Sequence, residues 1–144
     1  MEANYERELR LSLVTLLARI TMATVFFFFG LGKFLGGYMN FVNWMLGTFE
    51  DAKLPPHFML VPFTYVLPFA EITFGLLLLA GLFTRWTFFF AGLLIAALIF
   101  GQIQLQHADQ VASHLLYFLS IATGLWASEG NRFSLDYFLQ RNRD

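Results

Sequence analysis

Cysteine is absent from the 144 residues. Disulfides, thiolate zinc sites, iron–sulfur clusters, c-type haem attachment and Cys-x-x-Cys redox pairs therefore cannot come from this chain alone. Charge is nearly as scarce: only 13% of the residues are Asp, Glu, Lys or Arg, against about a quarter in ordinary soluble domains. No sign dominates, since nine Lys and Arg face ten Asp and Glu for a net charge of -1. That balance leaves no field for a polyanion and argues against a nucleic-acid partner. What fills the chain instead is apolar: 58% hydrophobic residues, nineteen of them phenylalanine, and a mean hydropathy of +0.61. A soluble core of this size cannot hide so much, so the composition points to lipid as solvent.

A membrane span needs about 20 mostly apolar residues. Four runs qualify, at about 11–35, 58–82, 86–105 and 111–127. The first is too long for the apolar region of a cleavable leader, mixes acids with bases ahead of it, and is followed by no small-x-small site, so it is kept as a span. Arg7, Arg10, Arg85, Arg132, Arg141 and Arg143 collect on one side of these spans and only Lys33 and Lys53 on the other. The positive-inside rule then places both termini in the cytoplasm, with Trp86 and Trp126 at inner span ends. Between the first two spans, Phe41, Trp44, Met45, Thr48 and Phe49 recur at helical spacing and predict a short interfacial helix before Leu54-Pro55-Pro56 breaks it. Ser134 is placed to cap a second amphipathic segment carrying Leu135, Phe138 and Leu139 on the inner surface.

The predicted architecture is all-α: an integral membrane four-helix bundle in a single domain, 1–144, joined by short loops. Gly92-x3-Ala96 and Ala97-x3-Gly101 offer faces where helices approach closely in lipid. The runs Phe26 to Phe29 and Phe88 to Phe90 surround their helices, so part of each must face lipid or another subunit.

Ionisable residues inside a span cost roughly 2.5 to 3.5 kcal/mol at its centre and are functional candidates by default. Arg19 and Glu71 stand out. Counted from the inner ends of their spans, they lie at matching depth, about 13 and 16 Å, which predicts an ion pair between them. Such a pair is either a strut that fixes helix register or a proton-handling site beside a redox head group, with Glu71 the proton carrier and Arg19 its tuner. Pro68 opens a polar notch beside Glu71 by removing one backbone donor. A second polar group gathers at the outer ends: Lys33, His57, Gln102, Gln104, Gln106, His107, Asp109 and His114. Of these, Lys33, His107 and His114 are candidates to hydrogen-bond a quinone carbonyl or pass protons. His107-x-Asp109-x4-His114 lacks any established metal signature, and no metal site is assigned.

The unusual residues also form a pattern. Arg19 precedes Gly30-Leu31-Gly32-Lys33-Phe34, Leu54-Pro55 precedes the second span, Glu71-x3-Gly75 leads to Gly81-Leu82-Phe83-Thr84-Arg85, and the tail reads Gly130-Asn131-Arg132-Phe133-Ser134-Leu135-Asp136. In these features the sequence resembles the DoxX family of small bacterial and archaeal four-span membrane proteins. The resemblance implies a multi-pass protein of the cell (inner) membrane, associated with respiratory oxidoreductases such as thiosulfate:quinone oxidoreductase and terminal quinol oxidase. Some relatives are tied to thiol and oxidative-stress systems, which a chain without cysteine can join only through partners.

Three functions follow as expectations. The first is a membrane subunit of an electron-transfer complex, binding a quinone near Glu71 and Arg19 while the redox centres sit in partner chains. It is expected to work in a hetero-oligomer, with no covalently bound cofactor and no catalysis of its own. The second is a structural or assembly subunit docking a larger complex through its phenylalanine faces. A transporter is the least favoured, since four spans show no repeat and no second charge track.

Overall fold

The computed structural model describes residues 2–52 and 55–141. Lys53, Leu54 and Arg143, used above for orientation and family pattern, lie outside the described residues. The fold is all-helical, with no strand among the described residues: α1 Glu2–Leu35, α2 Tyr38–Thr48, α3 His57–Ala80, α4 Thr84–Gln104, α5 Ala108–Ala127, a 3-10 turn Ser128–Gly130, and α6 Leu135–Arg141. Three of them, α1, α3 and α4, are long and apolar enough to cross a membrane. The fourth expected span, α5, has the length at 20 residues, but its first two turns carry Asp109, Gln110, Ser113 and His114.

The four long helices form a ring in which α1 packs mainly on α3 and secondarily on α5, α5 packs on α4, and α3 touches α4 only lightly. On α1 the buried residues Ser12, Thr15, Arg19, Met22, Phe26 and Gly30 recur every three or four positions. That spacing is the single stripe expected of a helix facing its neighbours on one side. Met22, Phe26, Leu78, Phe88 and Ile121 from all four helices make the central core. Of the phenylalanine runs, Phe26 and Phe88 are buried, whereas Phe28, Phe29, Phe89 and Phe90 point outward, as the sequence requires.

The closest helix approach is between α1 and α3. A Cβ on Gly30 would sit 2.9 Å from the Pro68 carbonyl oxygen, and one on Gly75 would sit 2.7 Å from the Phe27 amide nitrogen. The expected small-residue faces of α4 contribute less: Gly92 lies against Ile121, but Ala96 and Ala97 are exposed. These contacts fix an antiparallel register in which Gly30 lies beside Ile72, Phe27 beside Gly75, and Arg19 beside Gly81.

Helix α2 differs from its prediction in direction. Val42 and Met45, with Phe49 just after the helix, are buried against the bundle while Trp44 is exposed, so part of the apolar face is used for tertiary packing. The start of α1, the α3–α4 turn and α6 share one end of the bundle, here the terminal end. Helix α2 and the α4–α5 turn occupy the opposite end.

Candidate functional site

The predicted Arg19–Glu71 pair does not form. Its premise, matched depth, fails because α1 continues as helix well past the end of α3, so the edge of the apolar run does not mark a common level. Arg19 stands beside Gly81, ten residues beyond Glu71 on α3, or about 15 Å at the helical rise. Each residue has found a different partner.

Glu71 pairs with Lys33. The Lys33 Nζ donates to both carboxylate oxygens, at 2.7 and 2.9 Å. The Glu71 side chain is 5% exposed and that of Lys33 21%, so the carboxylate is sealed inside the α1–α3 contact while the ammonium reaches the surface. Gly30, one turn before Lys33, and Gly75, one turn after Glu71, both lie on the terminal side of the pair and bring the two backbones close enough for this pairing. The ammonium also lies 5.9 Å from the Phe29 ring centroid and 5.3 Å from that of Phe41, which add aromatic faces to its surroundings. Above it a groove of about 360 Å³ runs between α1 and α2, walled by Phe28, Phe29, Phe41 and Trp44 with Asn40 at its rim.

The two histidines separate. His114, half-buried on α5, donates from Nδ1 to the Gln110 carbonyl at 2.6 Å. Its ring meets Tyr117 edge-on, and Tyr117 meets Phe29 in turn, so two aromatic rings link it to Lys33. His107 is exposed in the α4–α5 turn, where Nδ1 contacts the Gln102 side-chain oxygen at 3.1 Å. It makes no contact with the Lys33–Glu71 pair among the described residues. Nor do those residues contain a cluster of His and carboxylates able to hold a metal.

Arg19 serves the terminal end. It is 3% exposed, and its Nε donates to the Leu78 carbonyl at 2.9 Å and Nη2 to that of Leu79 at 3.1 Å. Carbonyls in the last turn of a helix have no intrahelical partner, and a cation there also meets the negative end of the helix dipole. Nη1 extends to the tail, donating to the Phe133 carbonyl at 2.5 Å and the Asn131 side-chain oxygen at 3.3 Å. Gly81, in the left-handed conformation at φ 69°, terminates α3. Any Cβ there would overlap the Arg19 guanidinium.

The tail completes this lock. Both oxygens of the Asp136 carboxylate accept at 2.8 Å, from the Phe83 and Thr84 amides, and so cap the start of α4. Asn131 donates to the Thr84 hydroxyl at 2.8 Å. Arg132 pairs with Glu8 on α1. Ser134 caps α6 as expected, its hydroxyl accepting from the Tyr137 amide. Sequence reasoning noted the Gly-Leu-Phe-Thr-Arg turn and the Asn-Arg-Phe-Ser-Leu-Asp tail only as pattern. Asn131, Thr84 and Asp136 were missed as partners because nothing local shows that segments about 50 residues apart meet.

A family model described as DoxX matches residues 14–104, which takes in Arg19, Lys33, Glu71 and the α3–α4 turn and leaves out the tail. No curated protein and no solved structure matches the chain.

Proposed function

The chain belongs to the DoxX family, and we propose that it serves as a membrane subunit of a respiratory or other electron-transfer complex, with a quinone or quinol site at Lys33 and Glu71. It is a multi-pass membrane protein. In this reading α5 is the fourth span, both ends of the chain are cytoplasmic, and the membrane is the inner membrane of a bacterial or archaeal cell. Arg7, Arg10, Arg85 and Arg132 gather at the terminal end, with Lys33 toward the other, which supports that orientation.

The observation that carries the site is a buried carboxylate held by a partly exposed ammonium at the floor of an aromatic groove. An ion pair of this kind inside the apolar layer is costly and marks functional positions. The groove residues fit a planar head group: Phe29 and Phe41 flank it, and the Lys33 Nζ can donate to a carbonyl oxygen. A bound quinone supplies two-electron, two-proton carrier chemistry. Glu71 then exchanges a proton with the head group, Lys33 donates to and orients its carbonyl, and the His114 imidazole stands two rings away. Arg19 leaves this site, since its donors are committed to the lock.

The test is quinone reduction by the protein purified with its native partners, comparing Glu71→Gln and Lys33→Gln with the parent chain, together with mass spectrometry of co-purifying subunits and lipophilic cofactors. Loss of turnover with normal assembly supports the site. Unchanged kinetics and quinone content in both variants would overturn it. A second reading, a structural subunit that docks a larger complex, draws on the lock at the terminal end. It predicts weakened assembly without a redox phenotype.

A further inference from the structure

Two guanidiniums near the start of α1 belong neither to the Lys33–Glu71 site nor to the lock. Arg7 and Arg10 are exposed, and among the described residues neither makes a hydrogen bond or ion pair, whereas Arg19, Lys33 and Arg132 are all engaged. One turn apart, they project on the same side of α1, and the next turn on that side carries Leu11 and Val14. Trp126, at the end of α5, forms the facing wall of a groove of about 450 Å³. Glu6 also lines it, so within the groove two arginines face one carboxylate for a charge of +1, while on its other side Arg7 borders a cleft with Glu8, which is paired to Arg132, and Glu129.

The chemistry changes in one direction along this groove. Two free cations give way to an aliphatic wall, with an indole at the boundary. Tryptophan favours the membrane–water interface, and arginines just beyond it extend into the headgroup layer. A soluble phosphate would match the arginines but leave Leu11, Val14 and Trp126 without a counterpart. An acidic phospholipid matches both halves, and its phosphodiester carries the complementary single negative charge. Basic pockets between helices on the cytoplasmic side are suited to such headgroups. We propose that the α1–α5 groove binds an anionic phospholipid, its phosphate held by Arg7 and Arg10 and the start of an acyl chain lying on Leu11, Val14 and Trp126. The proposal is independent of the Lys33–Glu71 reading.

The full chain carrying Trp44→Phe and Trp86→Phe, which leaves Trp126 as its one indole, is reconstituted in phosphatidylcholine vesicles. Brominated-chain phosphatidylglycerol is then compared with brominated-chain phosphatidylcholine as a quencher. The expected result is a preference for phosphatidylglycerol on the order of tenfold in effective mole fraction, from two cations at the surface. It should vanish in Arg7→Gln/Arg10→Gln, with unchanged helical circular dichroism, and persist in Arg85→Gln. Equal quenching by both lipids overturns the proposal, as does a preference that survives Arg7→Gln/Arg10→Gln. Reversal by millimolar inorganic phosphate would assign the cations to a free anion, and protection of Trp126 from both lipids would place protein in the groove. Either outcome also overturns it.

Discussion

Lys33 and Glu71 are 38 residues apart in sequence and 2.7 Å apart in space, joined across the tightest helix contact in the molecule. The contact explains the choice of partner. Gly30 sets Lys33 one turn along α1, Gly75 sets Glu71 one turn back along α3, and their missing side chains let the backbones close until ammonium and carboxylate meet.

The pair should respond asymmetrically to mutation. Lys33→Ala strands a sealed carboxylate, and removing one partner of a buried pair costs about 3 to 5 kcal/mol. Glu71→Gln leaves a neutral amide inside and a lysine that can swing toward the headgroups, so its cost should be about 1 kcal/mol, the scale of one lost hydrogen bond. Thermal unfolding in detergent orders the two variants. An equal or reversed order would mean that Glu71 is not sealed as described.

The glycine contact can be tested separately. Gly75→Ala drives a methyl into the Phe27 backbone, which cannot swing aside as a side chain can, so the helices must separate at a cost of about 1 to 3 kcal/mol. Gly32→Ala, on α1, meets nothing within 4 Å. It should be neutral or stabilise by up to about 1 kcal/mol through helix propensity. Melting temperatures of the two variants check both signs.

These residues also show how far the sequence was legible. Apolar runs located every long helix, because lipid-length hydrophobic segments have few alternatives. Arg19, Glu71 and Lys33 stood out because charge inside such runs is expensive. Their pairing was not legible from depth, since α1 runs on as helix beyond α3 and hides its own membrane boundary. Register was carried instead by Gly30 against Ile72 and Gly75 against Phe27, close approaches that set Lys33 within reach of Glu71 and that no apolar run or periodicity points to. The role of Arg19 depends on Phe133 and Asn131, more than 110 residues away, and no local periodicity reports a contact of that range.

At the start of α4, Asp136 accepts from two amides that otherwise lack partners. Asp136→Ala should cost about 0.5 to 2 kcal/mol, the range for a lost helix cap, and Asp136→Asn should recover part of it. Phe83 adopts a left-handed φ of 48°, unfavourable for a bulky side chain. Loss of the cap should therefore loosen the α3–α4 turn first, seen as faster amide exchange at Phe83 and Thr84 than in the helix interiors.

Arg19 separates the lock from the proposed redox site. Arg19→Met keeps much of the side-chain volume but removes every donor, leaving the Leu78, Leu79 and Phe133 carbonyls without it. Unsatisfied buried groups of this kind cost about 1 to 3 kcal/mol each when water cannot replace the donor. The tail then loses its link to α1 through Phe133 and Asn131 and keeps Arg132–Glu8, the Ser12 hydroxyl contact, the Asn131–Thr84 bond, the Asp136 amide on the Gly81 carbonyl and the Asp136 cap. Limited chymotrypsin digestion should cut at Phe133 or Tyr137 much faster than in the parent chain, while quinone turnover per assembled complex stays unchanged. Glu71→Gln should give the opposite pattern, with an intact tail and impaired turnover. If Arg19→Met instead abolishes turnover in complexes whose tail remains protected, Arg19 acts at the redox site and its assignment to the lock alone is wrong.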